Sequence, residues 1–88
     1  MSGGDGGSGV RAVVEVAARA LTSRPDDVTV TVSEHQGKTL VELFVAPGEL
    51  GRVIGRQGRT AAALRTLAAT AGEKEGKTVT LEIRDGKP

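Results

Sequence analysis

The alternation of apolar and polar residues divides this chain of 88 residues into six predicted elements. From residue 10 to about residue 23, apolar side chains recur with the spacing of one helix face. They are Val10, Val13, Val14, Ala17 and Leu21. Because Pro25 disfavours helical backbone at the residue before it, we expect this first helix to end near Ser23.

Strict alternation follows at residues 28–33, where Val28, Val30 and Val32 share one face of a predicted strand. Gln36-Gly37 lies among polar residues and is typical of a hairpin turn. The second strand is predicted at residues 38–45. One face carries Val41, Leu43 and Val45, and the other carries Leu40, Glu42 and Phe44. These residues therefore predict a β-hairpin.

Two helices are predicted next. Pro47 suits the first turn of a helix, and Glu49 suits the positive end of its dipole, so a short helix reaches about Ile54. Gly55 and Gly58 interrupt it, and an alanine-rich helix begins near Arg59. Its predicted buried stripe is Leu64, Leu67, Ala68 and Ala71. Either Gly72 or Gly76 can end this helix, and the Glu-Lys-Glu run before Gly76 favours the later position.

A last strand points Val79, Leu81 and Ile83 inward, which completes the order α-β-β-α-α-β. Two helices between the second and third strands allow a parallel, right-handed crossover. The predicted fold class is α+β, a three-stranded mixed sheet with three helices packed on one face. Residues 10–85 form one predicted domain, preceded by a disordered glycine-rich tail at residues 1–9.

Composition limits the chemistry of this domain. The chain has no cysteine, so it forms neither disulfides nor thiolate metal sites. The single histidine, His35, adjoins the predicted hairpin turn, where we expect an exposed residue without a catalytic role. No apolar run reaches the ~20 residues that span a membrane, and the N-terminus lacks the pattern of a signal peptide. We expect a cytoplasmic protein without cofactor, metal or membrane partner.

The charges are concentrated in one segment. The net charge is only +1, but residues 51–66 contain four arginines and no acidic residue. Within residues 51–59, three glycines alternate with three of those arginines. Glycine lets another backbone approach closely, and the arginine fork suits phosphate. The pattern predicts a polyanion site; the alternative is a solvated helix face.

Several known classes of phosphate-binding or RNA-binding site do not match this sequence. The glycines lack the spacing and the Gly-Lys-Ser/Thr of a P-loop, and no strand leads into them. Few groups near the loop suit acid–base or nucleophilic work, so we predict no enzyme. Phe44 is the only aromatic residue, so a base-stacking sheet is hard to build. The predicted open sheet face carries Thr29, Thr31, Glu42, Thr78, Thr80 and Glu82.

The segment Val53-Ile54-Gly55-Arg56-Gln57-Gly58, placed between two helices, resembles the GXXG element of KH RNA-binding domains. Leu64-Arg65 also falls where such domains carry an aliphatic residue followed by a base. The order of elements resembles the type II, or bacterial, KH arrangement. A free-standing domain of this size looks like the small bacterial KhpA family, and residues 46–60 and 75–77 fit that family.

This resemblance implies that the loop clamps the backbone of about four nucleotides of single-stranded RNA. It places Arg56 and Gln57 at the loop tip and an apolar groove over Ile54, with Val53 and Leu64 beneath the bases. The expected RNA-binding residues are Arg52, Val53, Ile54, Gly55, Arg56, Gln57, Gly58, Arg59 and Leu64. The run of charged residues at 73–77 is interpreted as a solvated helix end, and the resemblance gives the alternative that Lys74 and Lys77 border the groove. The further expected function is that of an RNA chaperone.

The resemblance also implies partners, either a second copy in a homodimer or a larger RNA-binding protein in a heterodimer. It further implies a link to small regulatory RNAs and cell-envelope growth. Leu40 and Phe44, if they lie on the open sheet face, would mark a self-association surface. The alternative function is a protein-interaction or assembly module with little RNA affinity.

Overall fold

The computed structural model describes residues 8–88, which form the predicted α-β-β-α-α-β order. The elements are α1 Ser8–Leu21, β1 Thr29–His35, β2 Lys38–Val45, α2 Leu50–Ile54, α3 Arg59–Glu73 and β3 Thr78–Asp85. Ser8 and Gly9, which we expected in the tail, belong to α1. The rest of the predicted tail, residues 1–7, lies outside the described residues.

The sheet has the order β1-β2-β3, with β1 antiparallel and β3 parallel to β2. This arrangement confirms the predicted mixed sheet. In its register Val41 lies between Val32 of β1 and Leu81 of β3, so inward-facing residues form rows across the strands. Gln36 and Gly37 connect β1 to β2 at φ angles of 54° and 79°. Two successive positive φ angles are typical of the tight hairpin turn that we predicted.

The core lies between one face of this sheet and the helices. Its buried members are Val10, Val14, Ala18, Val28, Val30, Val41, Leu43, Val45, Val53, Leu64, Ala68 and Leu81. The predicted stripe of α3 is partly wrong, because Leu67 is 48% exposed. Ala61, Leu64, Ala68 and Gly72 form the buried stripe instead. None of the helices within residues 8–88 has the length and apolar character needed to cross a membrane.

The end of α3 depends on Gly76, as predicted. The Gly76 N–H donates to the Glu73 carbonyl at 3.0 Å, and the Lys77 N–H donates to the Gly72 carbonyl at 2.8 Å. Gly76 has a φ of 71°, so these two bonds form the motif in which a left-handed residue closes a helix. The chain can then turn directly into β3.

The turn between β2 and α2 differs from the prediction. The Glu49 N–H donates to the Ala46 carbonyl at 3.0 Å, which closes a turn through Pro47 and Gly48. Gly48 has a φ of 90°, which is incompatible with a helix, so α2 begins only at Leu50. The prediction that Pro47 occupies the first helical turn is therefore wrong.

The sheet face opposite the helices is polar. Glu42 accepts a hydrogen bond from the Thr31 hydroxyl at 3.3 Å and pairs with Arg84 at 3.2 Å. Arg84 also lies 3.4 Å from a Glu82 oxygen. Phe44 is 7% exposed and is flanked in register by Thr29 and Arg84, so it offers little surface to a partner. Phe44 therefore does not form the exposed self-association surface that we considered.

Glu49 connects the end of α1 to the start of α2. Its carboxylate accepts bonds from the Thr22 hydroxyl at 2.6 Å, the Ser23 N–H at 2.7 Å and the Ser23 hydroxyl at 2.8 Å. These bonds, led by that from Thr22 and aided by nearby Arg52, outweigh the opposing effect of burial and lower the pKa of Glu49 from 4.5 to about 2. Glu49 therefore stays ionised while it accepts three bonds.

We predict that Glu49→Gln removes part of the acid sensitivity of folding. The folded pKa lies below the unfolded value, so the stabilisation is present above about pH 4.5 and is lost as pH falls toward 2. The variant should be less stable than the parent at pH 7, and the difference should shrink as the pH approaches 2. Urea midpoints across this range measure the effect.

Glu15→Gln is the matched control, because Glu15 makes a surface ion pair with Arg19 at 3.4 Å on α1. Its stability should follow the parent closely at every pH, since exposed pairs contribute little. Parallel pH profiles for Glu49→Gln and the parent would contradict the assigned role of Glu49.

Candidate nucleic-acid interface

The loop at residues 55–58 has an unusual backbone. The Gly55 N–H donates to the Gly51 carbonyl at 2.9 Å and ends α2, and the Gly58 N–H donates to the Gly55 carbonyl at 3.1 Å. Gly55, Gln57 and Gly58 have φ angles of 76°, 58° and 72°. Three of the four loop residues thus adopt conformations that ordinary residues avoid. The two glycines interrupt the helices as predicted.

The two glycines serve different purposes. A Cβ atom on Gly55 would lie 2.2 Å from the Thr60 Oγ1 and 2.7 Å from the Thr60 Cβ. Gly55 also has a ψ of 172°, a region that only glycine occupies readily. A Cβ atom on Gly58 would meet nothing within 4 Å. Packing and conformation therefore both require glycine at position 55, whereas position 58 has open space in front of it.

The apolar residues near the loop divide into two groups. Val53 is fully buried and Leu64 is 2% exposed, and both belong to the core. The expectation that they floor a groove is wrong, because their side chains pack inward and anchor α2 and α3. Ile54 is only partly buried, so it keeps apolar surface beside the loop.

The cations of the site are exposed. Arg56, Gln57 and Arg59 lie on the surface, and within residues 8–88 their side chains make no hydrogen bond or ion pair. The Arg52 side chain is 59% exposed and its Nε lies 3.5 Å from a Glu49 oxygen. This pair leaves much of the Arg52 side chain exposed, and Arg56 and Arg59 have no acidic partner among the described residues. The loop therefore carries a net positive field.

Helix α3 adds to this field. It begins at Arg59, directly after the loop, and runs for 15 residues. The amide groups at the start of such a helix carry a partial positive charge and suit an anion. The loop, its arginines and this helix start therefore surround one positively charged surface. Among the described residues, no group of three or more histidine, aspartate or glutamate side chains could hold a metal ion.

Two contacts around the site were not predicted from the sequence. Glu49 binds Thr22 and Ser23 across more than 25 positions, and only the polar Thr-Ser pair before Pro25 hints at a partner. The Arg65 Nε donates to the Leu81 carbonyl at 3.3 Å, and no sequence pattern identifies a main-chain acceptor. Lys77, expected near the groove, pairs with Glu34 at 2.8 Å.

Solved structures share this fold. A crystal structure of Era in complex with MgGDPNP and nucleotides 1506–1542 of 16S ribosomal RNA matches with a TM-score of 0.60 and 22% identity. A structure of Aquifex aeolicus Era Y63A bound to GDP·AlF4⁻ matches with a TM-score of 0.61 and 21% identity. The matches cover 86% and 90% of this chain but only 29% and 31% of the Era chains. They support the type II KH fold.

Closer similarity comes from curated proteins named RNA-binding protein KhpA. The Aquifex aeolicus protein is 47% identical over 76 residues, which cover 86% of this chain and 96% of that protein. The Halalkalibacterium halodurans protein is 47% identical over 78 residues, which cover 86% of this chain and all of that protein. The family model described as KhpA/KhpB, KH domain, matches residues 11–83. The chain therefore belongs to the KhpA/KhpB family of KH-domain proteins.

Proposed function

We propose that this protein binds single-stranded RNA by clamping its backbone with the loop at residues 55–58. One observation carries the proposal: exposed Arg56 and Arg59 flank a backbone bend at Gly58, where an added Cβ atom would meet nothing within 4 Å. A phosphodiester chain can approach that bend closely, and no acid in the segment opposes it. The curated relatives named as RNA-binding proteins support the same function.

Each part of the site has a physical role in this proposal. Arg56 and Arg59 donate charge-assisted hydrogen bonds to phosphate oxygens, and Gln57 offers an amide to phosphate or sugar. Arg52 adds to the field from the preceding helix. Ile54 supplies apolar surface beside the first bases. The clamp needs unpaired nucleotides, because the bases must turn away from the backbone toward the protein.

The opposite face of the sheet does not suit RNA. Arg84 on this face pairs with both Glu42 and Glu82, so the three residues give no positive field, and Phe44 is too buried to stack on a base. RNA-binding sheets need exposed aromatic rings and a positive field. We therefore propose one RNA site at the loop, acting in the cytoplasm without catalysis. We expect one small site to bind RNA weakly and with modest sequence selectivity, which suits an RNA chaperone.

A second candidate function is protein assembly. Val16 on α1 is 70% exposed and Leu67 on α3 is 48% exposed, and both are large apolar side chains on the surface. They offer contacts to a second copy or to a larger RNA-binding protein. If the parent protein binds no RNA under any tested condition, this second function is the better one.

We predict that the double substitution Arg56→Asp with Gln57→Asp strongly weakens RNA binding and keeps the fold. Reversing the charge at the loop tip should weaken binding of a single-stranded 10-mer by about tenfold or more, because it removes charge-assisted bonds and adds repulsion. Stability should change by only about 0.5 kcal/mol, because both residues are exposed. Fluorescence anisotropy and thermal unfolding measure the two effects.

The double substitution Gln36→Asp with Lys38→Asp is the matched control. It changes the net charge equally, and Gln36 has a φ of 54°, close to the 58° of Gln57. These residues lie at the hairpin, at the end of β2 remote from α2. RNA affinity should fall much less than in the loop variant. Equal losses would show that overall charge, rather than the loop, determines binding.

We predict a measurable dependence of binding on salt. If the loop neutralises three phosphates, log Kd should rise with log salt concentration with a slope of about 2 for a single strand. The loop variant should have a smaller slope than the parent, because it loses the phosphate contact of Arg56 and keeps Arg52 and Arg59. Salt-independent binding by the parent would contradict a phosphate clamp, and the measurement needs only a titration at several salt concentrations.

We predict that Gly55→Ala mainly lowers the stability of the protein, whereas Gly58→Ala mainly lowers its RNA affinity. Gly55→Ala should destabilise the protein by about 3 kcal/mol or more, because its Cβ overlaps Thr60 in a backbone region unsuited to alanine. Gly58→Ala should cost about 1–2 kcal/mol, the penalty for left-handed backbone alone. Its Cβ nevertheless enters the space assigned to RNA, so its affinity should fall although it folds. Parent-like affinity of Gly58→Ala would contradict the placement of RNA.

A further inference from the structure

Thr22, Ser23 and Glu49 form a hydrogen-bonded cluster that joins the end of α1 to the start of α2. The Thr22 N–H donates to the Ala18 carbonyl at 3.0 Å, so Thr22 closes the last turn of α1. The three bonds to the Glu49 carboxylate are 2.6–2.8 Å long. Thr22 is 8% exposed and Glu49 is 9% exposed, so water competes little for these bonds.

Both oxygens of the Glu49 carboxylate take part in this cluster. Oε1 accepts from the Thr22 hydroxyl and the Ser23 N–H, and Oε2 accepts from the Ser23 hydroxyl. A carboxylate that is held through both oxygens keeps one orientation. The main chain at Glu49 is therefore fixed relative to the end of α1.

This anchor continues through α2 to the loop. The Arg52 N–H donates to the Glu49 carbonyl at 3.0 Å, which starts the helix. At the other end, the Gly55 N–H donates to the Gly51 carbonyl at 2.9 Å. Gly55 follows Glu49 by six positions, which is roughly 9 Å along a helix axis. A rotation of α2 at Glu49 would therefore displace the loop.

Helix α2 has few other anchors. Of its five residues Val53 is buried, and Leu50 is partly buried against the core. These side chains hold the helix against the sheet and the other helices, but a helix of this length gains little stability from its own hydrogen bonds. The direction in which α2 leaves the preceding turn therefore depends on Glu49.

Glu49 also orients an arginine of the proposed RNA site. The Arg52 Nε lies 3.5 Å from the Glu49 Oε1, while 59% of the Arg52 side chain is exposed. The guanidinium is a planar fork with several donors, so contact at one nitrogen leaves others free to face a phosphate. The same carboxylate thus contacts the end of α1 and a cation beside the loop.

We propose that Glu49, held by Thr22 and Ser23, is a positioning residue for RNA binding. It sets the direction of α2 and of the Arg52 guanidinium, and through them the geometry of the loop at residues 55–58. Thr22 and Ser23 follow α1, so they act through Glu49 and not by contact with RNA. This inference rests on the RNA function proposed above.

The negative charge of Glu49 distinguishes positioning from a simple electrostatic effect. RNA is a polyanion, so an acid beside its site repels it, and removal of that acid alone should strengthen binding. Loss of a positioning residue should weaken binding instead. We expect Glu49→Gln to bind RNA more weakly than the parent, although the variant is less acidic.

Thr22→Val together with Ser23→Ala tests the cluster without changing any charge. Binding of the single-stranded 10-mer should weaken by about 3- to 10-fold, because α2 would keep the binding orientation in only about 10–30% of molecules. Affinities are compared at a temperature where thermal unfolding shows each variant to be fully folded. If the double variant unfolds, Ser23→Ala alone gives the test, since it removes one hydroxyl from an exposed residue and should also weaken binding.

Thr31→Val is the matched control. It also removes a hydroxyl that donates to a glutamate, since Thr31 bonds to Glu42 at 3.3 Å on the open face of the sheet. Its RNA affinity should equal that of the parent. The exchange Thr22→Ser with Ser23→Thr keeps both hydroxyls and should retain most of the parent affinity.

The loop can also be observed without RNA. In a ¹H–¹⁵N spectrum the amide signals of Gly55 and Gly58 should shift in the Thr22→Val, Ser23→Ala variant. They should stay at the parent positions in Thr31→Val. A merely stabilising contact between α1 and α2 would leave these signals unchanged in the folded protein.

The outcomes separate the two proposals. Parent-like affinity and unshifted loop signals in the Thr22→Val, Ser23→Ala variant would overturn the positioning role. Tighter RNA binding by Glu49→Gln would also overturn it and would leave Glu49 as a source of repulsion. Failure of the proposed function has a different signature, because the parent would then bind no 10-mer or the Arg56→Asp, Gln57→Asp variant would bind it as the parent does.

Discussion

A helix of five residues cannot maintain its conformation in water, and the whole site depends on how the rest of the fold holds α2. The helix is fixed at three points. Glu49, just before it, accepts three bonds from the end of α1, Val53 is buried in the core, and Gly55 packs against Thr60 of α3. The loop geometry is therefore a property of the domain rather than of the loop sequence alone.

This anchoring explains why an unfavourable loop can persist. Gln57 occupies left-handed backbone, and no acidic side chain in the loop offsets Arg56 and Arg59. Both features oppose folding locally, the first by strain and the second by repulsion. Local conflict of this kind is typical of functional sites, and the core on either side compensates for it. Phosphate binding would remove the repulsion, so the ligand and the fold stabilise the same conformation.

Local patterns predicted much of this fold because they report on one element at a time. The alternation at β2 identified its inward face, and Gly55, Gly58 and Gly76 identified the helix ends. The predictions were wrong where tertiary contacts determine which residue is buried or which conformation the backbone adopts. Helical spacing alone could not choose between Leu67 and Ala61 as the buried residue. Pro47 matched a helix start, but the positive φ of Gly48 turned that segment into a tight turn.

At the candidate site, too, local sequence patterns predicted some features and tertiary contacts determined the others. Glycine spacing and arginine density located the loop, since both are properties of a continuous segment. Burial of Val53 and Leu64 depends on how α2 and α3 pack on the sheet, so sequence could not distinguish a groove floor from a core position. The Glu49 contacts and the Arg65 contact with a β3 carbonyl join distant segments, and they lacked a recognisable sequence signal.

The proposed clamp separates affinity from sequence preference, because phosphates are identical in every nucleotide. The loop at residues 55–58 would contact the RNA backbone, so it can supply affinity but no sequence preference. The core holds this loop through buried Val53 and through Gly55, which packs against Thr60, whereas the side chains of Arg56, Gln57 and Arg59 are exposed. Substitutions at these three exposed positions should therefore change RNA affinity without altering the core that holds the clamp.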